Sequence, residues 1–173
     1  MFRKLIWFTG LSGTGKSTLS IILNKSLKDK GFKTKIIDGD RFRKKTKIKQ
    51  SFSKMNITKN NLNIITEIQK FKDRFHYILV ATISPLKKIR SSVKKKFGKS
   101  YIEVFIKTSL ETLIKRDTKG LYKQAKNGKI KNLIGYNSPI IYEKSKYKIL
   151  EINTEKLSIE KSINVLLKQA LKN

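Results

Sequence analysis

The sequence predicts an α/β protein of three layers, with a parallel β-sheet between two sets of helices. Apolar stretches of strand length alternate along the chain with stretches that carry apolar residues at helical spacing, and this alternation is typical of parallel sheets with helical crossovers. Residues 77–83 (YILVATI) are almost continuously apolar, as expected of a central strand that is buried on both faces. A glycine-rich loop follows the first strand, which is the order found in nucleotide-binding α/β folds.

The elements can be placed in order along a single domain, residues 1–173. The expected strands are 5–8, 33–38, 77–83, 101–106 and 148–152, and the expected helices are 16–30, 56–71, a stretch after Pro85, 109–116 and 158–171. Asn56 or Thr58 is the expected cap of the second of these helices, and residues 41–53 are expected as loop or short helix. Residues 117–147 are polar with little periodicity, so we expect them to form a lid over the site.

The loop after the first strand carries a phosphate-binding pattern. Residues 10–17 (GLSGTGKS) match G-x-x-x-x-G-K-S between a strand-like and a helix-like stretch. In such a P-loop, glycines let the backbone wrap so that N–H groups and the helix N-terminus face phosphate oxygens. Lys16 would reach the β- and γ-phosphates, and Ser17 would offer its hydroxyl to Mg²⁺. The expected ATP-binding residues of the loop are Gly10, Leu11, Ser12, Gly13, Thr14, Gly15, Lys16, Ser17 and Thr18.

Two carboxylates follow the second predicted strand. Asp38 and Asp40 stand at its end, and the carboxyl ends of strands in an α/β sheet face the ligand crevice. They can order the waters of a metal ion or accept a proton from an acceptor hydroxyl, and Arg43 can pair with an anionic acceptor. Phosphoryl transfer depends mainly on positioning and charge neutralisation. We therefore expect an ATP-dependent small-molecule kinase, with Lys16, Asp38 and Asp40 as catalytic residues and with Mg²⁺ held by Ser17 and, partly through water, Asp40.

The composition is strongly basic and excludes several kinds of site. The chain has 41 lysines and arginines against 12 acidic residues, a formal net charge of +29. The lysines are dispersed rather than gathered in a stripe with aromatic residues, so they predict solvated faces and at most nonspecific binding of nucleic acid. The absence of cysteine excludes disulfides, zinc–thiolate sites and cysteine nucleophiles, and the single histidine, His76, is expected at a strand edge. No apolar stretch is long enough for a membrane helix, and a cytoplasmic protein is expected.

Several motifs resemble those of the adenylylsulfate (APS) kinases, in that family's order and spacing. The matching stretches are 7–18 (WFTGLSGTGKST), 38–43 (DGDRFR), 83–85 (ISP), 116–123 (RDTKGLYK) and 128–131 (GKIK). The resemblance implies transfer of the γ-phosphoryl group of ATP to the 3′-hydroxyl of APS, which gives the sulfate donor PAPS. It also implies ATP and Mg²⁺ as cofactors and, usually, a homodimer.

The resemblance implies roles for residues beyond the P-loop. Ser84 corresponds to the serine of the I-S-P motif, which is either a phosphorylated catalytic serine or a helix-start serine that lines the acceptor pocket. Lys119 corresponds to a lid lysine that contacts the substrate, and Arg116 is expected at ATP. The residues implied for acceptor binding are Asp40, Arg43, Phe52, Asn60, Asn61, Ile83, Ser84, Lys119, Gly120, Leu121 and Leu133.

Departures from the family pattern lie on the acceptor side. After the phenylalanine that corresponds to Phe52, the family has D-R-x-x-N, where this chain has residues 56–61 (NITKNN). The asparagine is kept as Asn60 or Asn61, but the arginine that holds the acceptor nucleotide is lost. In the lid, Leu133 replaces a phenylalanine that stacks on adenine. Leucine can cover a base but offers no π face.

These departures leave the acceptor open. The chain is either an APS kinase whose surplus lysines compensate for the lost arginine, or a related kinase for another nucleotide-type acceptor. Cytidine diphosphoramidate in capsule biosynthesis is the sharpest such alternative, because a pyrimidine needs less stacking surface than adenine. A nucleic-acid-binding P-loop protein is a further hypothesis that the net charge suggests, although dispersed lysines argue against it. A catalytically dead relative is disfavoured because Lys16, Ser17, Asp38 and Asp40 are all present.

Overall fold

Five parallel strands form the central sheet. The computed structural model describes residues 1–45 and 53–172. The strands are β1 (Lys4–Thr9), β2 (Thr34–Asp38), β3 (Tyr77–Ala81), β4 (Tyr101–Lys107) and β5 (Leu150–Asn153), in the spatial order β2-β3-β1-β4-β5. Every neighbouring pair of these strands is parallel, as the sequence predicts. The carboxyl ends of the strands therefore meet at one edge of the sheet.

Helices connect the strands in the predicted order. They are α1 (Lys16–Asp29), α2 (Gly39–Lys45), α3 (Lys54–Phe71), α4 (Lys87–Phe97), α5 (Leu110–Arg116), α6 (Leu121–Lys126) and α7 (Ile159–Leu171). Short 3₁₀ turns follow α3 at residues 72–74 and α4 at residues 98–100. The short helix α2 lies at the start of the segment expected as loop or short helix, and α6 lies inside the expected lid. None of the described helices is long and apolar enough to cross a membrane.

The two faces of the sheet bury separate apolar clusters. Because side chains alternate along a strand, Ile6 and Phe8 of β1 pack with the apolar residues of α1 and α7. Leu5 and Trp7 pack on the other face with those of α3 and α4. Trp7 and Phe8 are completely buried, and burying one such side chain stabilises the fold by about 2 kcal/mol. The three predicted layers are thus confirmed.

The helix starts follow local capping chemistry, with one correction. Ser109 and Ser158 cap α5 and α7 by accepting a backbone N–H at the third helical residue. The expectation that Asn56 or Thr58 caps α3 is wrong, because the hydroxyl of Ser53 accepts the N–H of Asn56 at 3.2 Å and the helix begins earlier. Asn56 thus receives the cap rather than providing it.

The single histidine has a structural partner. His76 immediately precedes β3, and its Nδ1 accepts the backbone N–H of Lys33 at 2.9 Å. This is the expected strand-edge position.

Candidate active site

The P-loop joins β1 to α1 at the carboxyl edge of the sheet. Gly10 has φ 143° and packs so closely on β4 that a Cβ there would lie 2.5 Å from the carbonyl oxygen of Ile106. Gly15, at φ 92°, leads directly into α1. Only glycine adopts such backbone angles readily. The sequence thus places a tight loop at a helix N-terminus, which is the arrangement that binds phosphate.

Lys16 is folded back onto its own loop. Its Nζ donates to the carbonyl oxygen of Leu11 at 2.5 Å and lies 3.4 Å from Thr14 Oγ1, and the residue is only 8% exposed. Burial, followed by the positive charge of Lys119, lowers the pKa of Lys16 from 10.5 to about 7, although Asp38 and Asp40 act in the opposite direction. A phosphate anion beside Nζ would favour the charged form again.

Asp38 is held at both of its carboxylate oxygens. Ser17 Oγ donates to Oδ2 at 2.7 Å, while Oδ1 accepts the backbone N–H groups of Asp40 and Arg41 at 3.0 and 3.1 Å. The carboxylate therefore caps the start of α2 and fixes the serine hydroxyl of the P-loop. No group of three histidine, cysteine or acidic side chains within residues 1–45 and 53–172 could hold a metal ion by itself.

Asp40 bridges two cations from different parts of the chain. Its Oδ1 accepts from Arg43 Nη2 at 2.6 Å, and its Oδ2 accepts from Lys119 Nζ at 2.7 Å. Burial raises the pKa of Asp40, but the hydrogen bond and charge of Lys119, with the charges of Arg43 and Lys16, outweigh this and leave the pKa below its usual value. Asp40 is therefore ionised at neutral pH, and it links the loop before α6 to α2.

One cleft of about 390 Å³ brings most of the predicted ATP-side residues together. Its lining comprises the P-loop from Ser12 to Thr18, Asp38, Asp40, Thr82, Ile83, Arg116 and Lys119, together with residues of the α7 side. Arg116, at the end of α5, also donates to the carbonyl oxygen of Thr154 at 3.3 Å. Gly10 and Leu11 lie behind the lining, where they contact β4 and Lys16.

A second, small pocket adjoins the cleft at Thr82 and Ile83, which line both. Its other lining residues are Arg43, Asn56, Ile57, Asn60, Asn61 and Ile134. The amide nitrogens of Asn60 and Asn61 donate to backbone carbonyls, including that of Ile83 at 3.4 Å from Asn61. Their Oδ1 atoms are buried without a hydrogen-bond partner among the residues that the structure describes. The pocket has only about 10 Å³ of space, about enough for one water molecule, so a larger donor would have to widen it.

Three residues implied for acceptor binding line neither pocket. Leu133 is fully buried in an apolar cluster with Leu113 and Tyr122, and Leu121 packs against the same cluster. Gly120 precedes α6 with φ 63°. The next residue after Leu133, Ile134, lines the small pocket, because Leu133 fills the apolar cluster. Phe52 lies outside the described residues.

Ser84 lies behind the cleft wall. It is completely buried, and its Oγ has no hydrogen-bond partner among the described residues. Its carbonyl oxygen accepts from Arg90 Nη1 and, at 3.4 Å, from Thr9 Oγ1. The hydroxyl lines neither the cleft nor the small pocket, and the cap residue of α4 is Leu86. This arrangement therefore supports neither the phosphoserine hypothesis nor that of a helix-start serine in the acceptor pocket.

Sequence reasoning missed a buried ion pair beside the site. Arg90 Nε donates to Glu103 Oε1 at 3.0 Å, and the two side chains are 0% and 2% exposed. The available signal was an arginine on the apolar stripe of α4 and an acidic residue inside the apolar strand YIEVFI, since lone charges in such places need a partner.

Comparisons with known proteins agree on one family. The family model described as adenylylsulphate kinase matches residues 3–153. An adenylyl-sulfate kinase of Bacteroides thetaiotaomicron is 40% identical over 169 residues, which covers 96% of this chain and 83% of the relative. One of Clostridium acetobutylicum is 37% identical over 164 residues, which covers 94% of this chain and 80% of the relative.

Comparison with solved structures also finds an APS kinase. The Mycobacterium tuberculosis APS kinase in complex with AMPPNP and APS superposes with a TM-score of 0.87 at 32% identity, covering 96% of each chain. Shikimate kinase from Aquifex aeolicus, at 17% identity and a TM-score of 0.56 over 95% of each chain, shares the fold alone.

Proposed function

The chain belongs to the adenylylsulphate kinase family, and we propose that it transfers the γ-phosphoryl group of ATP to the 3′-hydroxyl of APS, with PAPS as the product. The observation that carries this proposal is the single cleft in which the P-loop lysine and serine adjoin two carboxylates. That cleft adjoins a second, much smaller pocket at Thr82 and Ile83, which would widen to admit the acceptor nucleotide. One solved relative is described with an ATP analogue and APS together, which supports the same arrangement here.

The ATP side rests on the P-loop. We assign phosphate binding to residues 10–18 and the β- and γ-phosphate contacts to Lys16, whose Nζ would exchange the Leu11 carbonyl for phosphate oxygens. Because Lys16 is buried, its contact with the transferring group would be little weakened by water. Arg116 lines the same cleft and is assigned to ATP.

The oxygen donors at this end of the cleft fit Mg²⁺. Magnesium prefers oxygen ligands and keeps several waters, so it needs few protein ligands when phosphates are present. Ser17 would offer its hydroxyl, and Asp38 and Asp40 would hold the ion, partly through water. When bound, the ion neutralises charge on the β- and γ-phosphates.

Asp40 and Lys119 are assigned to the acceptor. Asp40 is ionised at neutral pH and lines the cleft, so it can accept a hydrogen bond from the attacking hydroxyl and orient it. Lys119 and Arg43 flank the same carboxylate and would pair with anionic groups of the acceptor. Its base would be enclosed by the residues that line the small pocket, once that pocket has widened: Asn60, Asn61, Ile83 and Ile134.

We further propose that residues 1–173 form one kinase domain with residues 117–147 as its lid, and that two such chains form a homodimer. The dimer rests on the family resemblance alone. Sedimentation equilibrium at several protein concentrations tests it, and a single species of 20.1 kDa would reject it.

A coupled ATP-consumption assay tests the function. Purified protein is given APS, cytidine diphosphoramidate or no acceptor at one fixed salt concentration, since the basic surface makes nonspecific anion binding salt-dependent. We expect saturable turnover with APS and none without acceptor. Lys16→Met should abolish turnover, whereas the matched variant Lys25→Met, on the exposed face of the same helix, should retain it. Turnover with the cytidine compound and none with APS would reject APS as the acceptor.

A further inference from the structure

An irregular segment, residues 138–149, lies outside all of the predicted site residues. It contains no helix or strand, overlaps the end of the proposed lid (residues 117–147) and leads into β5. Its Ile140 and Tyr147 pack against the apolar cluster of α3 and α4. We call residues 138–149 the strap, and residues 82–86, which follow β3, the acceptor loop.

The strap is bonded to the acceptor loop and to the end of β1. The backbone N–H of Glu143 donates to the carbonyl oxygen of Pro85 at 2.9 Å, and its side chain accepts the N–H of Lys87 at 2.6 Å. The hydroxyl of Tyr142 lies 2.6 Å from Thr9 Oγ1. The strap therefore contacts the acceptor loop at Pro85, the start of α4 at Lys87, and Thr9, the residue that precedes the P-loop.

The side chain of Arg90 bonds to both the acceptor loop and the strap. Its guanidinium is completely buried and donates from Nη1 to the carbonyl oxygen of Ser84 and from Nη2 to that of Glu143. Its Nε donates to Glu103 Oε1 at 3.0 Å and to Ser145 Oγ at 3.2 Å. One side chain thus holds the acceptor loop, the strap and β4 in a fixed relation.

This role needs the shape of arginine as well as its charge. A guanidinium presents several donors in a rigid planar fork, whereas a lysine ammonium is a single point on a flexible stem. Both carboxylate oxygens of Glu103 accept hydrogen bonds, because the hydroxyls of Ser145, Tyr101 and Tyr147 also donate to it. Replacing a buried ion pair with apolar side chains of similar volume is often neutral or stabilising, so stability alone is a weak reason to keep it.

We propose that Arg90, with the strap that it anchors, is a positioning residue for the acceptor. By fixing the carbonyl of Ser84 it sets the place of Thr82 and Ile83, where the cleft meets the acceptor-side pocket. The inference rests on the proposed function for its kinetic consequence. Among the described residues, Arg90 itself donates to Ser84, Glu103, Glu143 and Ser145 and not to residues 10–18. Thr9 shares the Ser84 carbonyl but precedes the P-loop, so we expect the larger effect on the acceptor and the smaller one on ATP.

The test compares Arg90→Lys with the wild type and with Arg74→Lys, a matched change at an exposed arginine in the 3₁₀ turn that follows α3. Losing one charge-assisted bond to the acceptor loop should raise the KM for APS about tenfold, while the KM for ATP stays within about twofold. Thermal unfolding of each protein confirms that it is folded. A folded Arg90→Lys with an unchanged KM for APS, or with both KM values raised equally, overturns the proposal.

Amide hydrogen exchange separates this proposal from the proposed function. In the ligand-free protein, Arg90→Lys should exchange faster in residues 82–86 but not in residues 10–16, whatever the acceptor is. If the wild type does not turn over APS, the function fails and exchange alone decides the positioning role, with equal exchange overturning it. If Arg90→Lys does not fold, the double substitution Arg90→Met with Glu103→Gln replaces it, because it removes the bond to the Ser84 carbonyl without leaving a buried charge unpaired. Faster exchange in residues 82–86 is again the required result.

Discussion

Because of the buried lysine of the P-loop, Lys16, the free energy of unfolding of the ligand-free protein should increase as the pH rises above neutrality. Folding lowers the pKa of Lys16 from 10.5 to about 7, mainly through burial and then through the charge of Lys119. Between these values the unfolded chain binds a proton that the folded chain lacks, so the free energy of unfolding increases with pH. Each pH unit adds up to about 1.4 kcal/mol, or about 2–3 kcal/mol between roughly pH 7.5 and 9.5.

Lys16→Met removes the titrating group and isolates this effect. The substitution leaves the carbonyl of Leu11 without its donor, which costs about 1–3 kcal/mol, so the slope against pH is a cleaner measure than stability at one pH. Urea unfolding followed by the fluorescence of Trp7, the single and fully buried tryptophan, gives the free energy at each pH. The range stops short of pH 10, because burial raises the pKa of Tyr122 to about 12 and such tyrosines destabilise the fold above pH 10.

The wild type and Lys25→Met should show the rise, and Lys16→Met should lack it. Equal slopes in the wild type and in Lys16→Met would refute the argument, because they would mean that Lys16 keeps its proton in the folded protein. Adding ATP with Mg²⁺ should flatten the slope of the wild type, since bound phosphate restores the charged lysine.

Three further changes test other parts of the site. Gly10→Ala should destabilise the protein by about 2–4 kcal/mol, because the added Cβ would meet the carbonyl oxygen of Ile106. Gly31→Ala should cost only about 1 kcal/mol, because Gly31 has φ 80° but no atom near the position of a Cβ. Equal losses of stability in urea unfolding would reject the packing argument. Lys119→Met should raise the KM for APS about tenfold or more. It should lower stability by no more than about 1 kcal/mol, because the two side chains of its ion pair with Asp40 are about half exposed. An unchanged KM for APS would remove Lys119 from the acceptor site. Asp38→Asn should raise the Mg²⁺ concentration for half-maximal rate about tenfold, as measured by titration after chelation with EDTA, and an unchanged titration would exclude Asp38 from the metal site.

Local patterns predicted the part of the site that depends on neighbouring residues in the chain. The P-loop, Asp38 and Asp40 could be placed because a strand, a tight turn and a helix N-terminus follow one another in sequence. The cap of α3 was misplaced by one turn, because Ser53 lay beyond the apolar periodicity that defined the helix. Periodicity marks the buried face of a helix but not its first residue.

The parts of the site that the sequence did not predict depend on contacts between residues that are distant in the chain. Leu133 and Ile134 are chemically alike, and only the packed lid decides which of them fills its core and which lines the pocket. Arg90 and Glu103 meet across α4 and β4, and their bonds to the strap join residues with no regular spacing. No periodic pattern encodes such contacts, although two lone charges in apolar stretches did indicate that partners were needed.

The measurement that tests the central claim most directly is the position of the transferred phosphoryl group. The protein is incubated with γ-labelled ATP, Mg²⁺ and APS, and the labelled product is treated with a nuclease specific for 3′-phosphates. We expect label on PAPS that this nuclease releases, and no labelled product with Lys16→Met. Label found only on another acceptor, or ATP hydrolysis without transfer to APS, would contradict it.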